Sequence, residues 1–359
     1  MTSTHTIELQ PNPFASALLE SGATGYAGYA SARLLEEMGD AAEPFRDWRS
    51  HLTQRLLELS AAVGAGEERI FIERVRWSRQ AALARQQPDD SHRRALECLR
   101  SVLRDELPAP ALPAVQQILD HAIELFDRPA IEIESSLDPQ RPNDRLALQY
   151  LERVLEGDSR GGVELLLDAA DFGTSVPDIY LEILVPAQRE IGRLWHRGEL
   201  GISEEHLITA TTLRAMAVLL QRADTPTQVG KTVVAAAVAG NLHDLAIRAV
   251  SDFFELRGWH AVGLGGDVPA NEIATAAVYF DADLVVLSAT LVTHLKPVEQ
   301  SIVAIRKLRG DATKIQVGGQ ALEATPDLWR KLGADGFART AEEAVILGAS
   351  LVGLESAGG

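Results

Sequence analysis

The chain has 359 residues, is 46% hydrophobic and 24% charged, and carries a formal charge of −17 at pH 7. That length suits two or three domains, and the apolar content suffices for a core, which excludes global disorder. Residues up to Arg128 hold 14 Arg, no Lys and 19 acids, and the acidic excess continues beyond, so the basic footprint of a direct nucleic-acid binder is missing. No run of about 18 apolar residues could span a bilayer. Met1 to Pro13 shows no basic-then-apolar leader pattern. The single cysteine, Cys98, excludes an intramolecular disulfide and fits a cytoplasmic protein.

In chain order, residues 1–13 read as a disordered tail. Helices are predicted at 14–38, 44–62, 66–86, 91–106 and 111–126, with Pro44, Pro88, Pro108 and Pro110 at their boundaries. Residues 1–128 therefore form an α-helical module of unassigned role, without a helix-turn-helix bearing a basic second helix. Its arginines, Arg69, Arg74, Arg76, Arg79, Arg85, Arg93 and Arg94, make either a solvated face or a patch for carboxylates or phosphates. Prolines and serines mark residues 129–143 as a linker.

Residues 144–223 read as an up-down four-helix bundle, with helices at 144–156, 161–172, 177–197 and 203–222. Pro177 suits a first turn, and Pro186 should kink the third helix. Ser203 is the expected N-cap of the fourth, with Glu204 and Glu205 in its first turn. A short linker, Asp224 to Thr227, leads to a third segment at 231–353. Strands are predicted there at 232–238, 260–264, 284–288, 314–317 and 335–337. Helices alternate with them at 243–256, 270–280, 296–308, 324–332 and 341–352. This alternation implies a parallel, doubly wound sheet. The fold class is thus mixed α and α/β: a helical module, a four-helix bundle and a Rossmann-like (flavodoxin-like) domain. Gly353 to Gly359 read as a flexible end.

The stretch Gly240-Asn241-Leu242-His243-Asp244 follows the first strand of that domain and opens a helix. It sets an imidazole at the carboxyl edge of a sheet, where open α/β sheets bind ligands. His243 could ligate a metal through one nitrogen while Asn241 holds the other. Ser288-Ala289-Thr290 and Gly318-Gly319 follow later strands of the same sheet. Gly240, Gly263, Gly265 and Gly266 do not form the glycine fingerprint of a nicotinamide or flavin site.

These motifs resemble those of the cobalamin-binding domain of methionine synthase, methylmalonyl-CoA mutase and their relatives, with Asn241 in place of an acid and Ala246 in place of a glycine. A second group precedes them: Trp195-His196, then Glu205-His206. Together the two groups resemble the photosensory modules of CarH/LitR-type light-responsive regulators, over roughly 144–353. The resemblance implies adenosylcobalamin held between bundle and sheet, with His243 as lower cobalt ligand. It implies Trp195, Glu205 and His206 around the upper ligand, and His196 as an upper cobalt ligand after photolysis. Asn241, Leu242 and Asp244 would flank His243, while Ser288, Thr290, Gly318 and Gly319 would line the channel for the nucleotide tail.

The family's MerR-type DNA-binding domain is not legible in residues 1–128. A relative without it is the photocobilin arrangement, in which a bilin such as biliverdin joins the cobalamin. The arginines would hold its propionates, Trp77, Tyr26, Tyr29, His51, His92 or His121 would line it, and Cys98 would be the one residue for a covalent link. AerR-like antirepressors are another such relative. The expected protein is a light sensor rather than an enzyme, a homo-oligomer (dimer or tetramer) with a regulatory protein partner and no membrane contact. A corrinoid shuttle for methyl transfer is the alternative.

Overall fold

The computed structural model describes residues 9–39, 47–87, 89–128, 134–224, 226–323 and 325–354. The chain forms two compact units, Met1–Glu132 and Ile133–Gly359.

The first unit is helical: α1 (Pro13–Met38), α2 (Trp48–Ala65), α3 (Glu68–Ala84), α4 (Asp89–Glu106) and α5 (Leu112–Glu124). Small residues line the buried stripe of α1, where Ala23, Ala27 and Ala30 alternate with Leu19 and Leu34 and let α2 approach closely. Residues 9–12 are not a loose tail. The Asn12 side chain caps α1 by accepting from the Ala15 N–H at 3.0 Å, and its own N–H donates to the Val63 carbonyl at 3.0 Å. Residues 1–8, Pro44 and Pro88 lie outside the described residues, as do the linker's first five positions.

The second unit begins with α6 (Pro142–Leu155), α7 (Ser159–Asp171), α8 (Val176–Asp178), α9 (Val185–His196) and α10 (Ile202–Arg222). Between α8 and α9 the chain makes a π-helical turn, Ile179–Leu184. Pro186 lies inside one continuous helical run from Val176 to His196, and the run is distorted by this π turn immediately before the proline. The N-cap of α10 is Gly201, not Ser203. The Glu204 carboxylate reaches back to accept from the Gly201 N–H at 3.2 Å, which starts the helix two residues early.

The sheet follows: β1 (Thr232–Val238), α11 (Leu245–Glu255), β2 (His260–Val268), α12 (Ala270–Tyr279), β3 (Leu284–Ser288), α13 (Leu295–Arg309), β4 (Lys314–Gly318), α14 (Gln320–Glu323), α15 (Leu328–Lys331), β5 (Gly336–Ala338) and α16 (Ala341–Leu351). All pairs are parallel, in the order β2-β1-β3-β4-β5. That is the flavodoxin-like order, whose direction reverses between β1 and β3. Register places Ala237, Ser288, Gly318 and Ala338 in one row at the carboxyl ends. β1 and β3 are buried along almost their whole length, as strands covered on both faces must be. Of the described residues in the expected helix at 324–332 only Leu328–Lys331 is helical, starting after Asp327 in the left-handed region (φ 62°), and a separate short helix, Gln320–Glu323, precedes it.

The α6–α10 helices share one apolar core with α11, α16 and the face of the sheet that carries Val233, Ala235, Leu284 and Val286. Tyr180, in the π turn, packs against Phe253 of α11 with ring centroids 6.0 Å apart. Its hydroxyl lies 2.9 Å from the Met216 carbonyl and 3.0 Å from the Asp252 carboxyl. Among the described residues, no helix is long and apolar enough to cross a membrane.

Candidate functional site

At the reversal point the chain leaves β1 through Gly240, whose φ of +80° is open to glycine and strained for other residues. Asn241 follows and is fully buried. Its Nδ2 donates to the Ser288 carbonyl at 3.1 Å, tying the loop to the end of β3. Its Oδ1 accepts from the His243 backbone N–H at 3.2 Å. Its carbonyl accepts from the Asp267 N–H at 3.0 Å, and the Asp267 carboxylate accepts from the Gly240 N–H at 2.7 Å, tying the same loop to the end of β2.

Asn241 therefore acts on the backbone beneath His243. The expected bond to the imidazole is replaced by this one, because the tight turn leaves backbone groups that need partners and the short amide reaches them first. His243 itself stands exposed on the clamped loop, beside Leu242, which is 77% exposed. Asp244 pairs with Arg248 at 2.7 Å.

Sequence reading missed His294. Its buried ring sits under Gly240, and its Nδ1 accepts from the Leu291 N–H at 3.1 Å. Burial first, and then the neighbouring His243, hold this imidazole below the usual histidine range, against a hydrogen bond to the Gly240 backbone. A lone histidine in Leu-Val-Thr-His-Leu gives no signal of this support.

Along the same edge lies a cavity of about 370 Å³ between the bundle helices and the sheet. Ser288, Thr290, Gly318 and Gly319 line it together, facing Tyr180, Val185 and Gln188. Gly319 is conformationally required: its φ is +102°, and a Cβ there would lie 2.3 Å from the Ala289 carbonyl oxygen. Gly318 would meet the Ala338 carbonyl at 2.9 Å. Ala246, where a glycine was expected, also lines the cavity. So does Gln316, a fully buried amide near the middle of β4 that sequence reading passed over.

Residues 231–346 match the family described as B12 binding domain, and residues 146–220 match a second family of that description. The chain is 31% identical over 168 residues to dimethylamine corrinoid protein 3 of Methanosarcina acetivorans, an alignment covering 45% of this chain and 76% of that one. It is 26% identical over 206 residues to a corrinoid protein of Desulfitobacterium hafniense, covering 56% and 94%. The chain belongs to the corrinoid protein family. The solved monomethylamine corrinoid protein of Methanosarcina barkeri shares its fold, with a TM-score of 0.50 at 19% identity, covering 58% of this chain and 99% of that one.

In this corrinoid protein the second predicted group sits where α9 ends and α10 begins. His196 is buried, Trp195 and Glu205 are half-buried, and the His206 side chain is 75% exposed. None of the four lines the 370 Å³ cavity. Glu205 bonds the His206 ring and accepts from the Thr209 hydroxyl at 2.9 Å. The single Thr209 hydroxyl proton is given to Glu205, leaving Gln188 Oε1 at 3.5 Å; Gln188 in turn donates to Thr212 at 2.8 Å, and Thr212 bonds Tyr150.

The arginines of the first unit are mostly committed within it. Arg74 pairs with Glu58 at 3.5 Å and stacks on Trp77, Arg76 pairs with Glu73, Arg79 and Arg93 meet Asp127 and the Phe126 ring, and Arg94 meets Glu37 and Glu97. Arg85 bonds the Ala81 carbonyl, and Arg69 is exposed. His121 bonds Glu68 at 2.8 Å, while His51 and His92 stack edge-on with Trp48. The cavity lined by His51, His92 and Arg79 holds about 10 Å³. Tyr29 is exposed, and Tyr26 packs over Gly22. Cys98 is buried, and burial above all pushes its thiol up to about 11.

Proposed function

We propose that this corrinoid protein holds a cobamide with His243 as lower ligand to cobalt, and carries a methyl group between partner proteins. One observation carries the reading: an exposed imidazole on a loop clamped from both sides, at the mouth of the sheet edge. Asn241 and Asp267 fix the loop's backbone, His294 supports it from below, and His243 is left free to ligate. The residues around the cavity suit the nucleotide tail. Two glycines admit a close approach, and the Ser288 and Thr290 hydroxyls can bond a phosphate or ribose. When bound, the corrinoid supplies the cobalt that accepts and releases the methyl group. The relative named for dimethylamine supports a methylated amine as the ultimate donor, and a methyltransferase as the partner that docks over the corrin.

A second reading, an alkylcobalamin light sensor, is favoured by the spacing of Trp195-His196 and Glu205-His206. Loss of a bulky upper ligand would leave a void that packed helices do not tolerate, and the bundle would shift against the sheet. A bilin has no comparable support, since most of the arginines are engaged within the helical unit and the nearby cavity is about 10 Å³.

One preparation separates the readings. Protein purified in the dark and loaded with methylcobalamin is offered a thiol acceptor with a corrinoid:thiol methyltransferase. A second aliquot, loaded with adenosylcobalamin, is exposed to green light. Methyl transfer without a light-driven change in oligomer size supports the carrier. Photobleaching with a change in size, and no transfer, replaces it with the sensor.

A further inference from the structure

Gln316 occupies a position that physical chemistry reserves for an apolar side chain. It lies near the middle of β4, in register with Val286 on one side and Gly336 on the other, and is fully buried. Its neighbours on the strand, Ile315 and Val317, are fully buried aliphatics. No described group hydrogen-bonds either of its amide atoms, Oε1 or Nε2. A buried amide without partners destabilises a fold, and such groups persist where something other than the fold needs them. Gln316 lines the 370 Å³ cavity, whose walls beside it are apolar: Val286, Phe253, Ala338 and Ala344. The other polar groups of the cavity come from elsewhere: Gln188 and Arg189 from the bundle, and Ser288, Thr290, Glu323 and Arg339 from the loops after the strands. The pattern is a polar rim, an apolar wall and one amide on the floor, which presents both a donor and an acceptor.

Resting on the reading of the cavity as the nucleotide-tail channel, we propose that Gln316 reads the lower base of the cobamide. A flat heterocycle entering an apolar slot meets one amide at its end. A base whose edge offers a complementary donor and acceptor, as adenine does with its amino group and adjacent ring nitrogen, satisfies both amide atoms. Dimethylbenzimidazole presents two methyl groups on its far edge and satisfies neither. The protein therefore prefers cobamides with a purine lower base over cobalamin, and Gln316 is the residue that sets the preference. One or two neutral hydrogen bonds set its size at about tenfold.

The test titrates the cofactor-free full chain with three probes: cobalamin, the adenine-based cobamide, and cobinamide, which lacks the nucleotide. Binding is read from the corrin absorbance and by calorimetry. The same titrations are run on Gln316→Leu and Gln316→Met, which match the volume without the amide. The wild-type chain is expected to bind the adenine cobamide about tenfold more tightly than cobalamin, with both variants reversing the order and binding cobinamide unchanged. The cofactor-free variants are also expected to melt at a higher temperature than wild type, because the unpartnered amide is gone. Equal affinity of the wild type for both cobamides, or a purine preference that survives in both variants, overturns the assignment of Gln316 alone. Failure of all three probes to bind overturns the corrinoid reading beneath it as well.

Discussion

Glu58 and Gln316 are both almost wholly buried polar side chains, one in each compact unit, and they differ in that Glu58 is ion-paired within its unit while Gln316 has no polar partner among the described residues. Glu58 is 1% exposed and sits between Arg55 at 2.8 Å and Arg74 at 3.5 Å, so the helical unit consumes its charge internally. Gln316 has no hydrogen-bond partner among the described residues and lines a cavity of about 370 Å³. The contrast teaches where to look for function. Buried polarity that is matched within the fold is architecture, however suggestive the cluster is in sequence. Buried polarity left open toward a cavity is addressed to a ligand.

The comparison can be broken at several points. The largest expected effect is on Glu58→Ala, which removes the buried carboxylate held between Arg55, 5% exposed, and Arg74. Loss of one member of a buried pair costs about 3–5 kcal/mol. Urea denaturation should show that loss in the first unit, with corrinoid affinity unchanged; a large drop in affinity would mean that the cluster serves the ligand after all. Next is Gly319→Ala. A methyl group 2.3 Å from the Ala289 carbonyl must displace backbone. A non-glycine residue held at such a φ costs about 1–3 kcal/mol. Corrinoid affinity, measured by equilibrium dialysis, should fall at least tenfold, and unaltered affinity would remove Gly319 from the tail channel.

Asn241→Leu removes the buried bonds to the Ser288 carbonyl and the His243 N–H. Orphaning those groups costs about 1–3 kcal/mol. Hydrogen exchange of the Gly240–Asp244 amides should accelerate, and exchange at the wild-type rate would contradict the clamp. The smallest effect is expected at Asp252. Burial, chiefly, holds its carboxyl up to about 6, Glu255 adds to this, and the Tyr180 hydroxyl opposes it. The folded chain therefore binds this proton more tightly than the unfolded one. Stability should fall as pH rises from about 4 through 6 and stay level above. Asp252→Asn should flatten that slope and gain about 1 kcal/mol at neutral pH once solvent screening is allowed for. Thermal melts across that range check it; an unchanged slope would return Asp252 to an ordinary carboxylate.

The legibility of the chain followed its physics. β1 and β3 could be bounded from sequence because strands buried on both faces are unbroken apolar runs. β2 runs on to Val268 because Gly263, Gly265 and Gly266 allow its end to pack against α11 and the Asn241 loop, and a run of glycines hides a strand. Pro186 announced a distortion, yet the π turn that absorbs it lies upstream, where no residue marks it. The loop of His243 was legible as a strand-to-helix turn. The Asn241 bond to backbone was not, since a side chain's choice between a ring and an N–H is decided by turn geometry. Gln316 was hidden for a simpler reason. In Lys-Ile-Gln-Val it reads as the outward residue of an alternating strand, and only the covering helices turn that face inward.

The central claim is that His243 becomes a ligand to corrinoid cobalt. It is tested most directly by electron paramagnetic resonance of the protein loaded with cobalamin and reduced to the Co(II) state, grown with histidine isotopically labelled at nitrogen, beside His243→Ala. The account predicts superhyperfine splitting that changes with the label in wild type and is lost in the variant. Splitting insensitive to the label, or retained in His243→Ala, would contradict it.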